Sequence, residues 1–333
     1  MDSLKAMKMQ NAVHRYSGIQ DLVVLENIIT EKLGENYRMY RSRWNSTTRK
    51  SVYEYPLHID FELNDNCNQR CVMCPRNENT HPNTGYSINT KSYLSFDKFK
   101  LVIDESKLYN LMSINLGAFA EPFLNPDFKS MVQYARSANI LDIRVITNGL
   151  LLEDYIDFIL DEQITNIFIS VDASSESTYG KIRGNGFNRV VENILSLVEK
   201  RQLKNLLLPL IRVSFVKFDI NAHEVDSFIK YWSQYVDFID IQPGENLSHP
   251  STNKIYSDKR FDCVAPWQRV SILSSGDILP CCSFYGRYLP IGNINETSIK
   301  QAWDSELMSS IRRNLVSNTE NVCDICQRSL LPQ

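Results

Sequence analysis

The feature that most constrains the fold is an alternation of short apolar runs with longer amphipathic segments, which begins near residue 55. Six of the runs have the length and apolar content of strands that are buried on both faces. They are residues 57–63, 112–116, 143–147, 164–171, 206–215 and 236–241. A repeated strand–helix unit is typical of a parallel sheet or barrel. The sequence therefore predicts an α/β fold whose six strands form an incomplete barrel or an open sheet.

The segments between these runs predict helices, most of them with apolar residues at three- and four-residue spacing. They are residues 96–105, 127–137, 153–160, 188–201 and 222–235. Residues 244–259 follow Pro243 and contain Pro250 and several Asn and Ser, which indicates a loop that closes this region. We therefore expect three parts: an N-terminal helical extension at 1–52, a barrel at 53–245, and a linker with a small domain at 246–333.

The C-terminal part predicts a different architecture. Residues 270–273 and 278–281 flank a Gly276-Asp277 turn and predict a β-hairpin. Residues 298–303 and 307–315 predict two helices. Because a domain of this size has a small core, it often needs a metal or another staple, and five of the eight cysteines lie here.

Composition and charge exclude several classes of protein. The chain has 333 residues, enough for about two domains, and a formal net charge of −3. No overall basic field therefore makes nucleic acid or an acidic membrane an expected partner. The N-terminus lacks the apolar segment of a signal peptide, and the longest apolar stretch is shorter than the ~20 residues of a membrane helix. We expect a cytoplasmic protein in which cysteines ligate metals rather than form disulfides.

The first cysteine cluster is Cys67-x3-Cys71-x2-Cys74, directly after the first predicted strand. It has no fourth cysteine nearby, so three thiolates would leave a metal site open. One alternative is a zinc site completed by His58 or His81, and another is three thiols packed in a core. Structural zinc favours paired C-x2-C arms and a closed tetrahedron. An iron–sulfur cluster with one open iron fits the spacing better.

The C-x3-C-x2-C motif resembles that of the radical S-adenosylmethionine (radical SAM) enzymes, which carry it after the first strand of a partial (βα)6 TIM-type barrel. In that family, S-adenosylmethionine chelates the open iron of a [4Fe–4S] cluster, and its reductive cleavage gives a 5′-deoxyadenosyl radical. The radical abstracts hydrogen from an unactivated C–H bond. The resemblance also implies a small electron donor of the flavodoxin or ferredoxin type.

Further positions resemble the family in order along the strands, and they imply contacts with S-adenosylmethionine from Met73, Gly117, Ala120, Glu121, Asn148, Ser170, Asp172 and Arg183. Met73 replaces the usual aromatic residue, and Ala120 replaces a usual glycine. The resemblance implies that Glu121 holds the cofactor's ammonium group, and Arg183 is a candidate partner for its carboxylate. Taken alone, the Asn148-Gly149 pair also fits an ordinary turn and Arg183 also fits a solvated surface charge.

The second cysteine cluster comprises Cys263, Cys281, Cys323 and Cys326. The C-x2-C arm taken alone favours a zinc ribbon. The Gly276-x4-Cys281 hairpin and the closing Cys323-x2-Cys326 resemble instead the SPASM family in its shortened "twitch" form, with one auxiliary [4Fe–4S] cluster. Two clusters in total follow from that resemblance. Because side chains alternate along a strand, we expect Cys281 and Cys282 to point to opposite faces, and Cys282 is not assigned to the cluster.

The reaction is less constrained. A second cluster beside a radical site implies oxidation, whereas return of a hydrogen atom implies epimerisation and requires a donor, for which Cys282 is a candidate. The alternative role for Cys282 is that of a small buried hydrophobe. The resemblance suggests a small molecule such as a sugar or sugar nucleotide, with Arg38, Arg41 and Arg43 as candidate phosphate contacts. Peptide maturation is a second possibility within enzymes, and a zinc-ribbon or nucleic-acid-binding protein is a third in another class.

Overall fold

The computed structural model describes residues 13–16, 22–77, 79–81, 92–245 and 262–329. These residues form strands β1 (Val13–Tyr16), β2 (His58–Phe61), β3 (Ser113–Leu116), β4 (Asp142–Thr147), β5 (Asn166–Ser170), β6 (Leu210–Lys217), β7 (Phe238–Pro243), β8 (Arg269–Ile272), β9 (Asp277–Leu279) and β10 (Gly292–Asn293). The helices are α1 (Leu22–Leu33), α2 (Glu35–Ser46), α3 (Phe96–Leu108), α4 (Phe128–Ser137), α5 (Ile156–Asp161), α6 (Glu176–Ile182), α7 (Phe187–Leu203), α8 (Val225–Trp232), α9 (Ala265–Gln268), α10 (Ile299–Trp303), α11 (Glu306–Ser317) and α12 (Asn321–Arg328).

The strands form one sheet in the order β1-β7-β6-β5-β4-β3-β2-β8-β9-β10. Strands β2 to β7 are parallel neighbours in chain order, which confirms the predicted six-stranded α/β fold. The predicted C-terminal hairpin is β8 and β9, and β8 also pairs in parallel with β2. The C-terminal part is therefore hydrogen-bonded directly to the barrel sheet. At the far edge, β1 pairs antiparallel with β7, a strand that the polar N-terminal sequence did not predict.

The two faces of the sheet differ in chemistry. Outward residues such as Ile59, Phe61 and Val145 are fully buried under the helices, and the ring of Phe61 lies 4.8 Å from that of Phe99 in α3. Many of the alternating positions on the inner face are polar, as at Asp60 of β2. Strands such as β2 and β3 are buried on both faces, as predicted, but their inner faces carry polar side chains in place of a second apolar core.

Several helices begin at a serine whose side chain accepts a hydrogen bond from the first turn. Ser95 caps α3, Ser175 caps α6, and Ser305 caps α11. Ser298 forms a full capping box with Gln301 at the start of α10. These local signals explain why the predicted and observed helix starts agree to within two residues at α3, α10 and α11.

The N-terminal helix α2 closes the amino-terminal end of the barrel. Its Tyr37, Tyr40 and Trp44 are buried, and the Trp44 ring meets the His58 ring edge-on with centroids 5.7 Å apart. The Arg269 guanidinium lies over Trp44, 4.6 Å from the ring centroid. These three aromatic side chains are therefore packed inside the protein and do not form a surface for nucleic acid.

The arginines of the same helix do not form a shared surface. Arg41 is only 4% exposed and its guanidinium contacts Asn45, whereas exposed Arg38 pairs with Glu35. Arg41 is therefore buried, whereas Arg38 and Arg43 are exposed and stay predictions as phosphate contacts.

Other predicted elements differ in extent. The fifth strand run starts at Leu210 rather than residue 206, because α7 continues to Leu203 and a loop follows. Helix α6 was missed, and the segment at 222–235 is a 3-10 turn followed by the shorter α8. Most of the predicted loop at 244–259 lies outside the described residues. No helix in the described part of the chain combines the length and apolar content needed to cross a membrane.

Candidate functional site

The three-cysteine loop leaves β2 at the carboxyl ends of the parallel strands, where ligands of such folds collect. Its shape is set by its own hydrogen bonds: the Cys74 amide donates to the Cys71 carbonyl at 3.0 Å, and the Asn77 amide donates to the Cys74 carbonyl at 2.9 Å. The Val72 amide donates to the Ile182 carbonyl at 2.8 Å, which ties the loop to α6. The loop is thus folded in a defined conformation around Cys67, Cys71 and Cys74.

The three thiols are close enough to influence each other's charge. Burial raises the pKa of Cys67 and Cys71 to about 11, and it also raises the pKa of Cys74. In each case the charge of a neighbouring thiolate raises the pKa further, by a smaller amount. Cys71 has this effect on the pKa of Cys67, Cys74 on that of Cys71, and Cys67 on that of Cys74. The thiols therefore converge, and a metal cluster would have to displace their protons to bind.

Arg76 stabilises this loop from inside the protein, a role that the sequence did not predict. Its side chain is fully buried, pairs with Glu62 at 3.3 Å, and donates to the Phe119 carbonyl at 3.0 Å and to the Asp65 carbonyl. It therefore joins the cysteine loop to the loop after β3. The only sequence signal was a basic residue two positions after the third cysteine.

Glu121 and Asn148 link the ends of β3 and β4. The buried Glu121 carboxylate accepts from the Thr147 hydroxyl and the Asn148 amide, each at 2.8 Å. The Asn148 side-chain amide donates to Asn68 Oδ1 at 2.6 Å and lies 3.8 Å from Cys67 Sγ. The structure thus gives Glu121 hydrogen-bond partners within the protein, and its contact with the cofactor's ammonium group stays a prediction. Burial raises the pKa of Glu121 to about 7.

Asp172 and Arg183 form a buried ion pair beside the second cysteine. Asp172 Oδ2 accepts from Arg183 Nε at 2.7 Å, and Oδ1 accepts from the Val216 amide at 2.7 Å. Arg183 Nη1 lies 3.7 Å from Cys71 Sγ. Asp172 therefore faces Arg183, which is held next to the cluster loop, and the contacts of both residues with the cofactor stay predictions.

The remaining predicted contacts lie around the same loop. Gly117 has φ +98°, and a Cβ there would lie 2.4 Å from the Ile146 carbonyl oxygen, so only glycine fits. Ala120 and Met73 are partly exposed in the loops after β3 and β2, and Ser170 is partly exposed at the end of β5. These residues stay predictions as cofactor contacts.

The two histidines offered as zinc ligands have other partners. His58 lies at the amino end of β2, where it hydrogen-bonds Ser113 Oγ at 2.7 Å, and His81 Nε2 contacts the Val72 carbonyl at 3.1 Å. Among the residues that the structure describes, no three His, Cys, Asp or Glu side chains form a group that could hold a single metal ion.

A second site lies between β8, β9 and the C-terminal helices. A cavity there is lined by Cys263, Cys281, Cys323 and Cys326, together with mainly apolar residues that include Ala265, Pro280 and Ile311. The closing Cys323 and Cys326 lie on α12, where a spacing of three residues puts both thiols on one face of the helix. A Cβ at Gly286 would lie 2.7 Å from Cys281 Sγ.

Cys282 lies apart from that cavity. It is not among the residues that line it, and its Sγ lies 3.3 Å from Arg269 Nη1. The same Nη1 lies 3.3 Å from Asp60 Oδ2 on the inner face of the barrel. Cys281 therefore lines the cavity while Cys282 is turned toward Arg269; both lie beyond β9, which ends at Leu279, so strand alternation is not the cause of the difference.

Both sites fit iron–sulfur clusters. All eight cysteines are free of disulfides, and thiolates are the ligands such clusters require. The first site offers three thiols beside open loop backbone, which leaves one cluster corner for another ligand. The second offers four thiols in one apolar cavity of about 450 Å³, part of it open to solvent, which suits full protein ligation.

Comparison with known proteins gives matches to both regions. The family model of the radical SAM superfamily matches residues 61–213, and that of an iron–sulfur cluster-binding domain, SPASM, matches residues 263–328. Together they cover well over half of the chain, and each contains the cysteines described above.

Individual relatives are more distant. A GTP 3′,8-cyclase from Clostridium botulinum is 26% identical over 209 residues, or 60% of each chain, so this chain spans about 60% of the length of that relative. The structure resembles BtrN in complex with AdoMet and 2-DOIA (TM-score 0.53, 16% identity, 83% of this chain and 92% of that one). It also resembles Streptococcus suis SuiB bound to precursor peptide SuiA (TM-score 0.57, 15% identity, 88% and 75%).

These structural likenesses support the fold, and the two family models agree with the two sets of cysteines. The iron–sulfur description of the second region also removes the zinc-ribbon alternative. S-adenosylmethionine and [4Fe–4S] clusters are accordingly the cofactors of the protein. The chain belongs to the radical SAM superfamily and carries a SPASM domain at residues 263–328.

Proposed function

We propose that this radical SAM enzyme removes a hydrogen atom from a C–H bond of a small, carbohydrate-like molecule and completes the reaction by oxidation or epimerisation. The observation that carries the proposal is that the neighbouring residues Cys281 and Cys282 face different parts of the protein. Cys281 lines the auxiliary cavity, whereas the adjacent Cys282 contacts Arg269 on the barrel side. Two consecutive residues of the chain therefore contact the auxiliary site and the barrel side, respectively.

The first site holds one cluster through Cys67, Cys71 and Cys74, and the second holds one through Cys263, Cys281, Cys323 and Cys326, as in the twitch form. When bound at the first site, the cluster and S-adenosylmethionine supply a 5′-deoxyadenosyl radical as the hydrogen-abstracting species. Arg183 and Asn148 stabilise the negative charge of the ligating thiolates, since they lie 3.7 Å and 3.8 Å from Cys71 and Cys67.

Oxidation and epimerisation differ in the hydrogen atoms, protons and electrons that the substrate gains and loses. In an oxidation, the substrate carbon would lose a hydrogen atom and its hydroxyl a proton to give a carbonyl, and a cluster held by Cys263, Cys281, Cys323 and Cys326 would supply the acceptor for the remaining electron. In an epimerisation, the Cys282 S–H bond supplies a hydrogen atom to the opposite face of the carbon. The resulting sulfur radical then needs one electron and one proton, for which a flavodoxin- or ferredoxin-type donor is the expected electron source.

Peptide maturation is the second candidate. It is favoured by the likeness to SuiB in complex with a precursor peptide, which extends over 88% of this chain. A peptide substrate would require the inner face of the barrel to admit an extended chain from solvent.

The test is an anaerobic assay of the reconstituted enzyme with S-adenosylmethionine, dithionite and candidate substrates, in which 5′-deoxyadenosine and products are measured by mass spectrometry. An oxidised product lacks two hydrogens, whereas an epimer formed in D2O gains one deuterium. Cys282→Ala should abolish epimer formation and leave oxidation intact. Failure to form any 5′-deoxyadenosine, or a modified peptide in place of a modified polyol, would refute the proposal.

A further inference from the structure

The N-terminal extension reaches the second cysteine site through Arg49, a residue that lies outside both family-model matches. We propose that Arg49 is a positioning residue of the auxiliary cluster, which holds the chain at the ligand Cys263 and raises the reduction potential of that cluster. The inference rests on the proposed function, because it takes the four cysteines of the second site as the ligands of one cluster.

The Arg49 side chain joins two segments of the C-terminal part. Its Nε donates to the Cys263 carbonyl at 3.2 Å, and its Nη1 donates to the Leu315 carbonyl at 3.2 Å. Leu315 lies in the last turn of α11, where a cation interacts favourably with the carbonyl end of the helix. The next helix, α12, carries the last two ligands and begins at Asn321. One guanidinium therefore connects the first ligand with the helical segment that leads to the last two.

The stretch of chain on either side of Arg49 is fixed against the same C-terminal part. The Gln268 side-chain amide in α9 donates to the Trp44 carbonyl at 2.9 Å, and the Trp303 indole in α10 donates to the Tyr53 carbonyl at 2.8 Å. Both donors are buried. Arg49 therefore extends from a segment that is anchored before and after it, and its side chain is only 18% exposed.

The charge of Arg49 acts on the cysteines themselves. Burial raises the pKa of Cys263 and Cys323, and the positive charge of Arg49 opposes that rise at both thiols. Arg269 acts in the same direction on Cys263, with a smaller effect. Asp262 pairs with Arg49 at 2.7 Å, but the Asp262 side chain is 81% exposed. Because water screens an exposed charge more than a buried one, the guanidinium outweighs this carboxylate at the site.

A fixed cation beside an iron–sulfur cluster favours the reduced form, because reduction adds one negative charge. The lining of the second cavity is mainly apolar apart from its cysteines, and a charge acts more strongly in a medium of low dielectric constant. The Arg49 charge therefore raises the reduction potential of a cluster held there. A higher potential makes that cluster a stronger acceptor for the one electron that the substrate loses in the proposed oxidation.

The experiment is a redox titration, followed by electron paramagnetic resonance, of the full-length reconstituted protein with Cys67→Ala, Cys71→Ala and Cys74→Ala. Only the auxiliary cluster then contributes to the signal. Adding Arg49→Gln should lower the equilibrium constant for reduction about tenfold, a downward shift of about 59 mV for a one-electron couple. Adding Arg49→Lys, which retains the charge, should give a smaller shift. The iron content of each variant is measured on the same samples.

Two further variants separate the effect of charge from that of structure. Lys50→Gln removes the same charge from the next residue, whose side chain is exposed, and should leave the potential unchanged. Asp262→Asn removes the carboxylate that offsets Arg49 and leaves both of its carbonyl contacts in place, so it should shift the potential upward. The sign of that shift decides the matter if Arg49→Gln does not retain the cluster.

Equal shifts in Arg49→Gln and Arg49→Lys would overturn the inference, and so would a shift in Lys50→Gln as large as that in Arg49→Gln. A potential that Asp262→Asn lowers or leaves unchanged would also overturn it. In these cases the measured signal still shows that the auxiliary cluster is present. A parent protein without any cluster would overturn both the inference and the proposed auxiliary site. Potentials that depend on Arg49 in an enzyme that forms neither an oxidised product nor an epimer would support the inference and refute only the proposed reaction.

Discussion

The side-chain amide of Asn148 lies 3.8 Å from the sulfur of Cys67, and its main-chain N–H donates to the Glu121 carboxylate at 2.8 Å. One residue at the end of β4 therefore contacts both the cysteine loop after β2 and the acidic loop after β3. Because Glu121 is fully buried, this chain of contacts positions the first cysteine from inside the protein.

The raised pKa of Glu121, about 7, makes stability depend on pH. A carboxyl whose pKa is higher in the folded than in the unfolded chain favours folding while it is protonated, and that contribution is lost as pH rises from about 4.5 through 7. We expect the stability of the wild type relative to Glu121→Gln to fall by about 2 kcal/mol between pH 5 and pH 8. The measurement is anaerobic thermal unfolding of both proteins.

The buried Glu245 has a similarly raised pKa, but it is present in both proteins and cancels in the difference. A difference in melting temperature that stays constant with pH would mean that Glu121 is already ionised at pH 5.

The Arg183 charge should raise the reduction potential of the cluster held by Cys71, because a cation stabilises the reduced, more negative form. We expect Arg183→Gln to shift that potential downward by on the order of 50 mV, and Arg183→Lys to shift it less. Redox titration followed by electron paramagnetic resonance measures both. Equal shifts in the two variants would point to a structural effect of losing the Asp172 pair and not to charge.

Gly117 and Gly180 form a matched pair of glycines. A Cβ at Gly117 would lie 2.4 Å from a carbonyl oxygen at φ +98°, whereas a Cβ at Gly180 in α6 would meet nothing within 4 Å. Gly117→Ala should lower the free energy of unfolding by about 2 kcal/mol or more. Gly180→Ala should raise it by roughly 0.5–1 kcal/mol, because alanine favours a helix interior. The prediction fails if the two variants unfold alike.

Iron content separates the roles of the neighbouring cysteines. Cys281→Ala should lose about four of about eight irons per chain, because it removes a ligand of the auxiliary cluster, whereas Cys282→Ala should keep them all. Gly286→Ala should behave like Cys281→Ala, since a Cβ there would lie 2.7 Å from Cys281 Sγ. Loss of iron from Cys282→Ala with retention in Cys281→Ala would reverse the assignment of the ligand.

The strands and cysteine sites could be predicted from sequence because their signals are local. Apolar residues such as Ile59, Ile143 and Ile167 mark strands whose outer faces pack under helices. The C-x3-C-x2-C run and the Gly276 turn occupy short segments. The spacing from Gly276 selected Cys281, and the structure places Cys281, but not Cys282, in the wall of the second cavity.

Other features depend on contacts between distant segments. Trp44 closes the barrel floor through His58 and Arg269, which lie 14 and 225 positions away in the chain, so its pattern alone suggested only an amphipathic helix. Arg76 carried no periodic signal at all. The ion pair between Asp172 and Arg183 joins a strand end to a helix end, and so each residue alone suggested a separate contact with the cofactor.

The most direct test of the central claim compares the wild type with the triple variant Cys67→Ala, Cys71→Ala and Cys74→Ala after anaerobic reconstitution. Iron, sulfide and 5′-deoxyadenosine formed from S-adenosylmethionine with dithionite are measured on the same samples. The wild type should hold about eight irons and form 5′-deoxyadenosine, and the variant should keep about half the iron and form none. Undiminished cleavage by the triple variant, or a wild type without iron, would contradict the assignment of the catalytic cluster to this loop.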